Sequence, residues 1–330
     1  MTKIESARRE YSDWCSAIGI KSMDDVNSII ESGNAVKLIN LCEARQERKY
    51  ADAADEIVWH SDKARIVMMS GPSSSGKTSS SLRIAQQCRV LGVTPKVIEL
   101  DNYFVNRDLT PLDENGEKDY ESLGAMNVEL LGENLNDLLA GKEIIVPKFD
   151  FINGCTIFDE NRRMKLEKGD VLFMEGIHAL NPDLTPSVDQ SRIFHVYISA
   201  LSAVSVEEIH NSTTDKRLLR RIVRDNRTRG ISPEQNILRW PSVRRGEVRN
   251  IFPYEENAQV VFNSSMIYDI PLLKYYAEPL LYGITESSPA YEKAHQLIEF
   301  LQYVTSLKPS DIAAIPPTSI MREFIGGQTL

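Results

Sequence analysis

The chain has 330 residues, 42% of them hydrophobic and 26% charged, a composition that supports one large α/β domain plus an appendage. A net charge of −9 argues against general affinity for nucleic acid. No apolar run approaches the roughly 20 residues of a membrane span, and the opening MTKIESARREYSDW lacks the apolar core of a secretion signal, so the cytoplasm is the expected compartment. The four cysteines, Cys15, Cys42, Cys88 and Cys155, are far apart with no C-x-x-C pair, and the five histidines form no ligand motif, so neither a disulfide framework nor a zinc site is indicated.

Residues 1–60 show no strand-like alternation. Helical spacing recurs in Val26, Ile29 and Ile30 and again in Val36, Ile39 and Leu41, which predicts a small helical appendage. Within it, 43–57 reads as a charged, solvated helix leading into the first strand. From residue 61 to 330, short apolar runs that suit buried parallel strands alternate with helical patterns: 66–70, 96–100, 171–175, 193–199 and 259–264. The expected fold is a doubly wound, mainly parallel α/β sheet.

Directly after the first run, residues 71–78 read GPSSSGKT, a complete G-x-x-x-x-G-K-[ST] P-loop, and Leu82, Ala85, Cys88 and Leu91 continue at helical spacing to a stop at Gly92. This strand, loop and helix make the domain a P-loop NTPase. The glycines let backbone N–H groups and the helix N-terminus face phosphates, Lys77 reaches the β/γ oxygens, and the Thr78 hydroxyl ligates Mg²⁺. Gly71, Ser73, Ser74, Ser75, Gly76, Lys77, Thr78 and Ser79 are therefore the candidate nucleotide-binding residues, with ATP and Mg²⁺ as the implied cofactors.

In doubly wound sheets ligands sit beyond the carboxyl ends of the strands. The second run is followed by Asp101 and the third ends in Glu175, two carboxylates able to divide base and metal duties in phosphoryl transfer. His178, three residues on, reads as a hydrogen-bonding neighbour of the site. The long insertion 103–165 is the candidate acceptor-binding segment. Phe149 and Phe151 flank Asp150 in it, either as faces for a planar base or as core aromatics of a hairpin.

Between Lys216 and Arg249 stand 11 of the 38 basic residues, a concentration that calls for a local anion. On a helix, Arg217, Arg220, Arg221 and Arg224 share one face beside a stripe of Leu218, Leu219, Ile222 and Val223, which predicts an arginine-rich lid over 203–250. Arg239, Arg244 and Arg245 surround WPS. They suit an anionic acceptor unless they pair with Glu247, Glu255 or Glu256.

The succession GPSSSGKTSS, LDNYF, KDYESLGAMN, PKFDF, FMEGIHAL and RLLRRIVRDNRTRG resembles the uridine kinase and phosphoribulokinase group of P-loop kinases over about 65–265. NPDLTP, WPSVRRGE and SIMREFIGG are similar to a bacterial uridine kinase-like branch whose longer members carry a threonyl-tRNA synthetase-like front part. By that likeness the front part is missing here, and 43–57 is the remnant that joined it to the kinase. The resemblance implies a general base at Asp101, a magnesium-associated glutamate at Glu175, and lid arginines at Arg221, Arg224 and Arg229. In the nucleoside pocket it puts Glu121 where an aspartate holds the ribose and Phe149 where a tyrosine meets the base. It likewise puts Gly154 at a base-contacting histidine and Arg239 at a lid glutamine.

The implied activity is ATP-dependent phosphorylation of a small-molecule hydroxyl, foremost the 5′-hydroxyl of uridine or cytidine. A same-family kinase for an anionic acceptor such as a sugar phosphate stays open, as does a regulatory ATP-binding module. The expected partner is the small acceptor, and a homo-oligomer stays open; nucleic acid and membrane are not expected.

Overall fold

A computed structural model describes residues 1–112, 116–202 and 213–330; residues 203–212 of the predicted lid and 113–115 of the insertion lie outside the described residues. The chain begins with helices α1 (Lys3–Ala17), α2 (Met23–Glu31) and α3 (Ala35–His60), followed by strand β1 (Ile66–Ser70), helix α4 (Lys77–Val90) and strand β2 (Thr94–Glu99). The insertion contributes α5 (Val128–Leu139) and two small hairpins, in which β3 (Ile144–Ile145) pairs with β6 (Arg163–Met164), and β4 (Lys148–Asp150) with β5 (Cys155–Ile157). Then come β7 (Asp170–Glu175), β8 (Ile193–Ser199), α6 (Thr213–Thr228), α7 (Pro233–Asn250), β9 (Val260–Asn263), α8 (Asp269–Leu281), α9 (Tyr291–Gln302), α10 (Pro309–Ala313) and α11 (Arg322–Ile325).

The five main strands lie parallel in the order β2-β7-β1-β8-β9. This is the α/β fold of P-loop kinases. Every residue of β1 is buried, because alternate side chains serve opposite faces of the sheet. Ile66 and Met68 pack with α5 through Leu131, Leu135 and Leu138, whereas Val67 and Met69 pack with α3 and α4 through Ala54, Ile57, Ile84 and Cys88. The chain leaves β1 for a strand on one side and later returns to the other side, so a crevice opens at the carboxyl end of β1.

A third apolar core takes none of its residues from the strands. It joins Val26, Ile30 and Ile39 from the first sixty residues to Leu219 and Ile222 of α6, Leu272 and Leu273 of α8, Leu297 and Leu301 of α9, and Ile320, Met321 and Phe324 near the C-terminus. The helices of the first sixty residues thus pack into the same body as α6. Capping boxes fix helix starts sharply, among them Thr2 with Glu5 at α1 and Ser232 with Gln235 at α7, where Pro233 supplies the preset first-turn φ.

Candidate active site

The P-loop runs from the end of β1 into the first turn of α4. Two glycines are required by its path. A Cβ on Gly71 would lie 1.9 Å from the Ile198 carbonyl oxygen of β8, and Gly76 holds φ +81° with the Ile320 side chain 2.3 Å from where its Cβ would be. Ser74 is also left-handed at φ 57°. The resulting curl turns the N-terminus of α4 toward a cavity of about 430 Å³.

That cavity gathers residues from distant parts of the chain. Ser73, Ser74, Gly76, Lys77 and Thr78 come from the loop, Asp101 from the turn after β2, Glu121 from the insertion, and Glu175 from the end of β7. Arg221, Arg224 and Arg229 come from α6 and the turn beyond it, and Glu247 from α7. Thr78 donates its hydroxyl hydrogen to Glu175 Oε1 at 2.8 Å. Lys77 Nζ points back along the loop, 3.4 Å from the Pro72 carbonyl oxygen.

Six carboxylates, Glu99, Asp101, Glu121, Glu175, Glu247 and Glu323, face four cations, Lys77, Arg221, Arg224 and Arg229, so the wall carries excess negative charge. Desolvation pushes the Glu175 carboxyl above its usual range. Lys77 and the Thr78 hydrogen bond oppose this, while Asp101 and Glu323 add to it. Enclosing protein likewise raises Asp101, with Lys77 and Arg229 opposing and Glu99 adding, although its side chain keeps contact with solvent through the cavity mouth. Glu121 is raised by the same desolvation, against the pull of Lys77 and Arg221. Oxygen donors with this charge surplus suit a hard divalent cation, and Thr78 with Glu175 forms the matching pair.

The arginine face of α6 divides in two. Arg217 and Arg220, 1% and 0% exposed, turn inward. Arg217 grips Glu247 with both terminal nitrogens, and Arg220 reaches Asp269 at 2.7 Å. Removing one partner of such a buried pair typically costs about 3–5 kcal/mol, so these pairs are framework. Only Arg221 and Arg224 of the four reach the cavity. Asp225, fully buried, meets Arg221 at 3.4 Å, Arg224 at 2.8 Å and Arg229 at 3.5 Å. Arg221 also donates to Ser73 Oγ at 2.8 Å, and desolvation lowers its pKa.

Ser73 links the P-loop to α6 and α7. Its N–H donates to Glu247 Oε1 at 2.9 Å, its carbonyl accepts from Arg217 at 2.9 Å, and its hydroxyl accepts from Arg221. Ser75 and Ser79 are buried beneath the loop; Ser79 donates to Glu323.

Three expected acceptor residues lie elsewhere. Phe149 is buried and Phe151 is exposed on the β4–β5 hairpin, their ring centroids 5.1 Å apart, and neither lines the cavity. Phe149 is thus a core aromatic of the hairpin, whereas the Phe151 ring stays exposed. Arg239 is exposed on α7, one turn before Val243, and is also outside the cavity wall. Arg244 pairs with Glu247, and the anionic-acceptor reading loses the residue on which it chiefly rested. Gly154 adopts φ +70° with Arg107 atoms 2.7 Å from where a Cβ would stand, so no larger side chain fits there without displacing Arg107.

His178 is buried off the cavity behind Glu121 and Ser122. Burial lowers its pKa to about 4 and keeps the ring neutral, and neither ring nitrogen has hydrogen-bond geometry to a partner. Sequence reasoning missed Glu247 and Glu323 as cavity residues.

The sequence pattern of the Phosphoribulokinase / Uridine kinase family matches residues 66–271, well over half of the chain. The chain belongs to this family. It is therefore an ATP-dependent kinase, a transferase. Among curated relatives of this family member, the uridine kinase of Macrococcus caseolyticus is 33% identical over 184 residues, covering 56% of this chain and 79% of the relative. That of Staphylococcus haemolyticus is 30% identical over 179 residues, covering 54% and 76%. The solved structure of a "Possible Uridine Kinase" from Bacillus stearothermophilus aligns with 64% of this chain and 98% of its own, at 19% identity and a TM-score of 0.39. Among the described residues no helix is long and apolar enough to cross a membrane.

Proposed function

We propose that this kinase transfers the γ-phosphoryl group of ATP to the 5′-hydroxyl of uridine or cytidine, with Mg²⁺ as its cofactor. The observation that carries the proposal is the convergence, in one cavity, of the P-loop, the Thr78–Glu175 pair, Asp101, Glu121 and two lid arginines. Relatives named uridine kinases support the acceptor class.

In this reading the N-terminus of α4, the loop amides and Lys77 hold the triphosphate. Thr78 and Glu175 would hold Mg²⁺, whose charge neutralises phosphate oxygens. Asp101 accepts the proton of the attacking hydroxyl, and Glu121 orients the acceptor by hydrogen bonding to its hydroxyl groups. Incubation with ATP and a panel of nucleosides and phosphosugars, read by mass spectrometry, should give uridine or cytidine monophosphate. Product only from a phosphosugar would overturn the nucleoside assignment, and ATP consumption without any phosphorylated acceptor would favour a regulatory module.

Arg221 is held by Ser73 and Arg224 by Asp225, and in this reading both turn to the γ-phosphoryl group as the lid closes. Interactions realised mainly in the transition state act on rate. Replacing either arginine by alanine should therefore lower kcat by more than it weakens ATP binding, measured by steady-state kinetics beside calorimetry. A loss confined to ATP affinity would make these residues ground-state binders.

A further inference from the structure

The C-terminal segment lies beyond residues 66–271, the part matched by the family pattern, yet it reaches into the cavity. Glu323, in the first turn of α11, lines the wall next to the P-loop helix. The hydroxyl of Ser79, the residue after Thr78, donates to Glu323 Oε2. Gln328 Nε2 donates to the same hydroxyl oxygen at 2.7 Å.

This segment is anchored. Ile320, Met321 and Phe324 are at most 1% exposed within the helical core, and Ile320 packs on Gly76. Arg322 donates to the carbonyls of Ile312 and Ile315, and Arg227 reaches those of Glu323 and Phe324 at 3.4 Å. Glu323 is therefore a fixed part of the wall.

Its two oxygens are unequally occupied. Oε2 has the Ser79 hydroxyl, whereas Oε1 of this cavity-lining residue has no hydrogen bond to another described residue, Arg224 Nη1 standing 3.8 Å away, beyond hydrogen-bond distance. Arg224 is already held by Asp225 at 2.8 Å through both Nε and Nη2. A fixed anion in a triphosphate site repels phosphate oxygens. The groups that it can bind there are hydrogen-bond donors, and a triphosphate nucleotide carries such donors only on its sugar and base.

We propose that Glu323 is a specificity-determining residue of the nucleotide site, its Oε1 accepting a hydrogen bond from an O–H of the ribose or an N–H of the base. The inference rests on the reading that this cavity holds the triphosphate. It places the source of nucleotide selectivity in a segment outside the family's shared region.

The test is direct binding of ATP, 2′,3′-dideoxy-ATP, which lacks both ribose hydroxyls, and the triphosphate of purine riboside, which lacks the 6-amino group, to the full chain and to Glu323→Gln by calorimetry with Mg²⁺ and no acceptor. The parent should bind one of the two analogues roughly tenfold or more weaker than ATP, in line with a hydrogen bond to a charged group. The analogue affected identifies the sugar or the base as the source. In Glu323→Gln that penalty should shrink to within a few fold. A parent protein that binds ATP well but discriminates against neither analogue overturns the proposal without any variant. A Glu323→Gln protein that weakens all three nucleotides equally, or changes only the Mg²⁺ requirement, overturns it too. Failure to bind any triphosphate, by contrast, would remove the underlying kinase reading.

Discussion

Replacing Asp101 by asparagine is expected to lower the rate of phosphoryl transfer by ~10²-fold or more, the usual size of a general-base contribution, while fold and ATP affinity stay close to the parent's. The side chain stands on the turn after β2, opens into the cavity and makes no hydrogen bond to another described residue, so an isosteric amide disturbs little. The pH profile adds a second signature. Enclosing protein pushes the Asp101 carboxyl above the ordinary aspartate range, and the base works only when ionised. Activity should accordingly fall on the acid side at a higher pH than an unperturbed aspartate would give, and that limb should be lost in the asparagine variant. Equal transfer rates and equal acid limbs in both proteins would exclude Asp101 as the base.

Much of this architecture is legible in the sequence because fully buried parallel strands read as unbroken apolar runs. IVMMS and IFHVYIS correspond residue for residue to β1 and β8. The start of β2 is less legible: the structure begins it at Thr94, two residues before the apolar run, where Pro95 obscures the pattern. The nucleotide half of the site is legible for a related reason. The P-loop is contiguous, and the strand-end rule locates Asp101 and Glu175 without any long-range information.

What the sequence leaves hidden depends on contacts between distant segments. Helical spacing puts Arg217, Arg220, Arg221 and Arg224 on one face, but it cannot tell which of them turn inward. That is decided by Glu247 and Asp269, 30 and 49 positions away from Arg217 and Arg220. The Glu323 carboxylate reaches Ser79 across 244 positions, and nothing local marks it as a cavity residue. Phe149 shows the converse error. An aromatic–acid–aromatic pattern suits a base-binding face and a short hairpin equally, and packing against Phe104 and Phe151 selects the hairpin. On the acceptor side, where specificity is set by such packing, resemblance carries less than it does at the phosphates.

Lys77→Ala should have an effect at least as large, a loss of ~10²–10³-fold in turnover, the range found when one preorganised electrostatic donor is removed from an active site. Two physical consequences combine. Lys77 is the P-loop's only cation and in the proposed mechanism holds the β/γ-phosphate oxygens, so its loss leaves charge developing in the transition state less compensated. It is also the largest opposing influence on Asp101, Glu121 and Glu175, each of which desolvation raises. Without it, all three carboxyls should rise further. The base should then be protonated at a higher pH than in the parent, so residual activity in the alanine variant should have its acid limb displaced upward. This displacement separates the loss of a charge from simple damage to the loop, which would lower the rate at every pH alike. The measurement is ATP turnover against pH for both proteins, with thermal unfolding to confirm that the variant is folded. Unchanged turnover in Lys77→Ala would remove the P-loop from the mechanism. A rate loss with an unmoved acid limb would separate phosphate binding from control of the base.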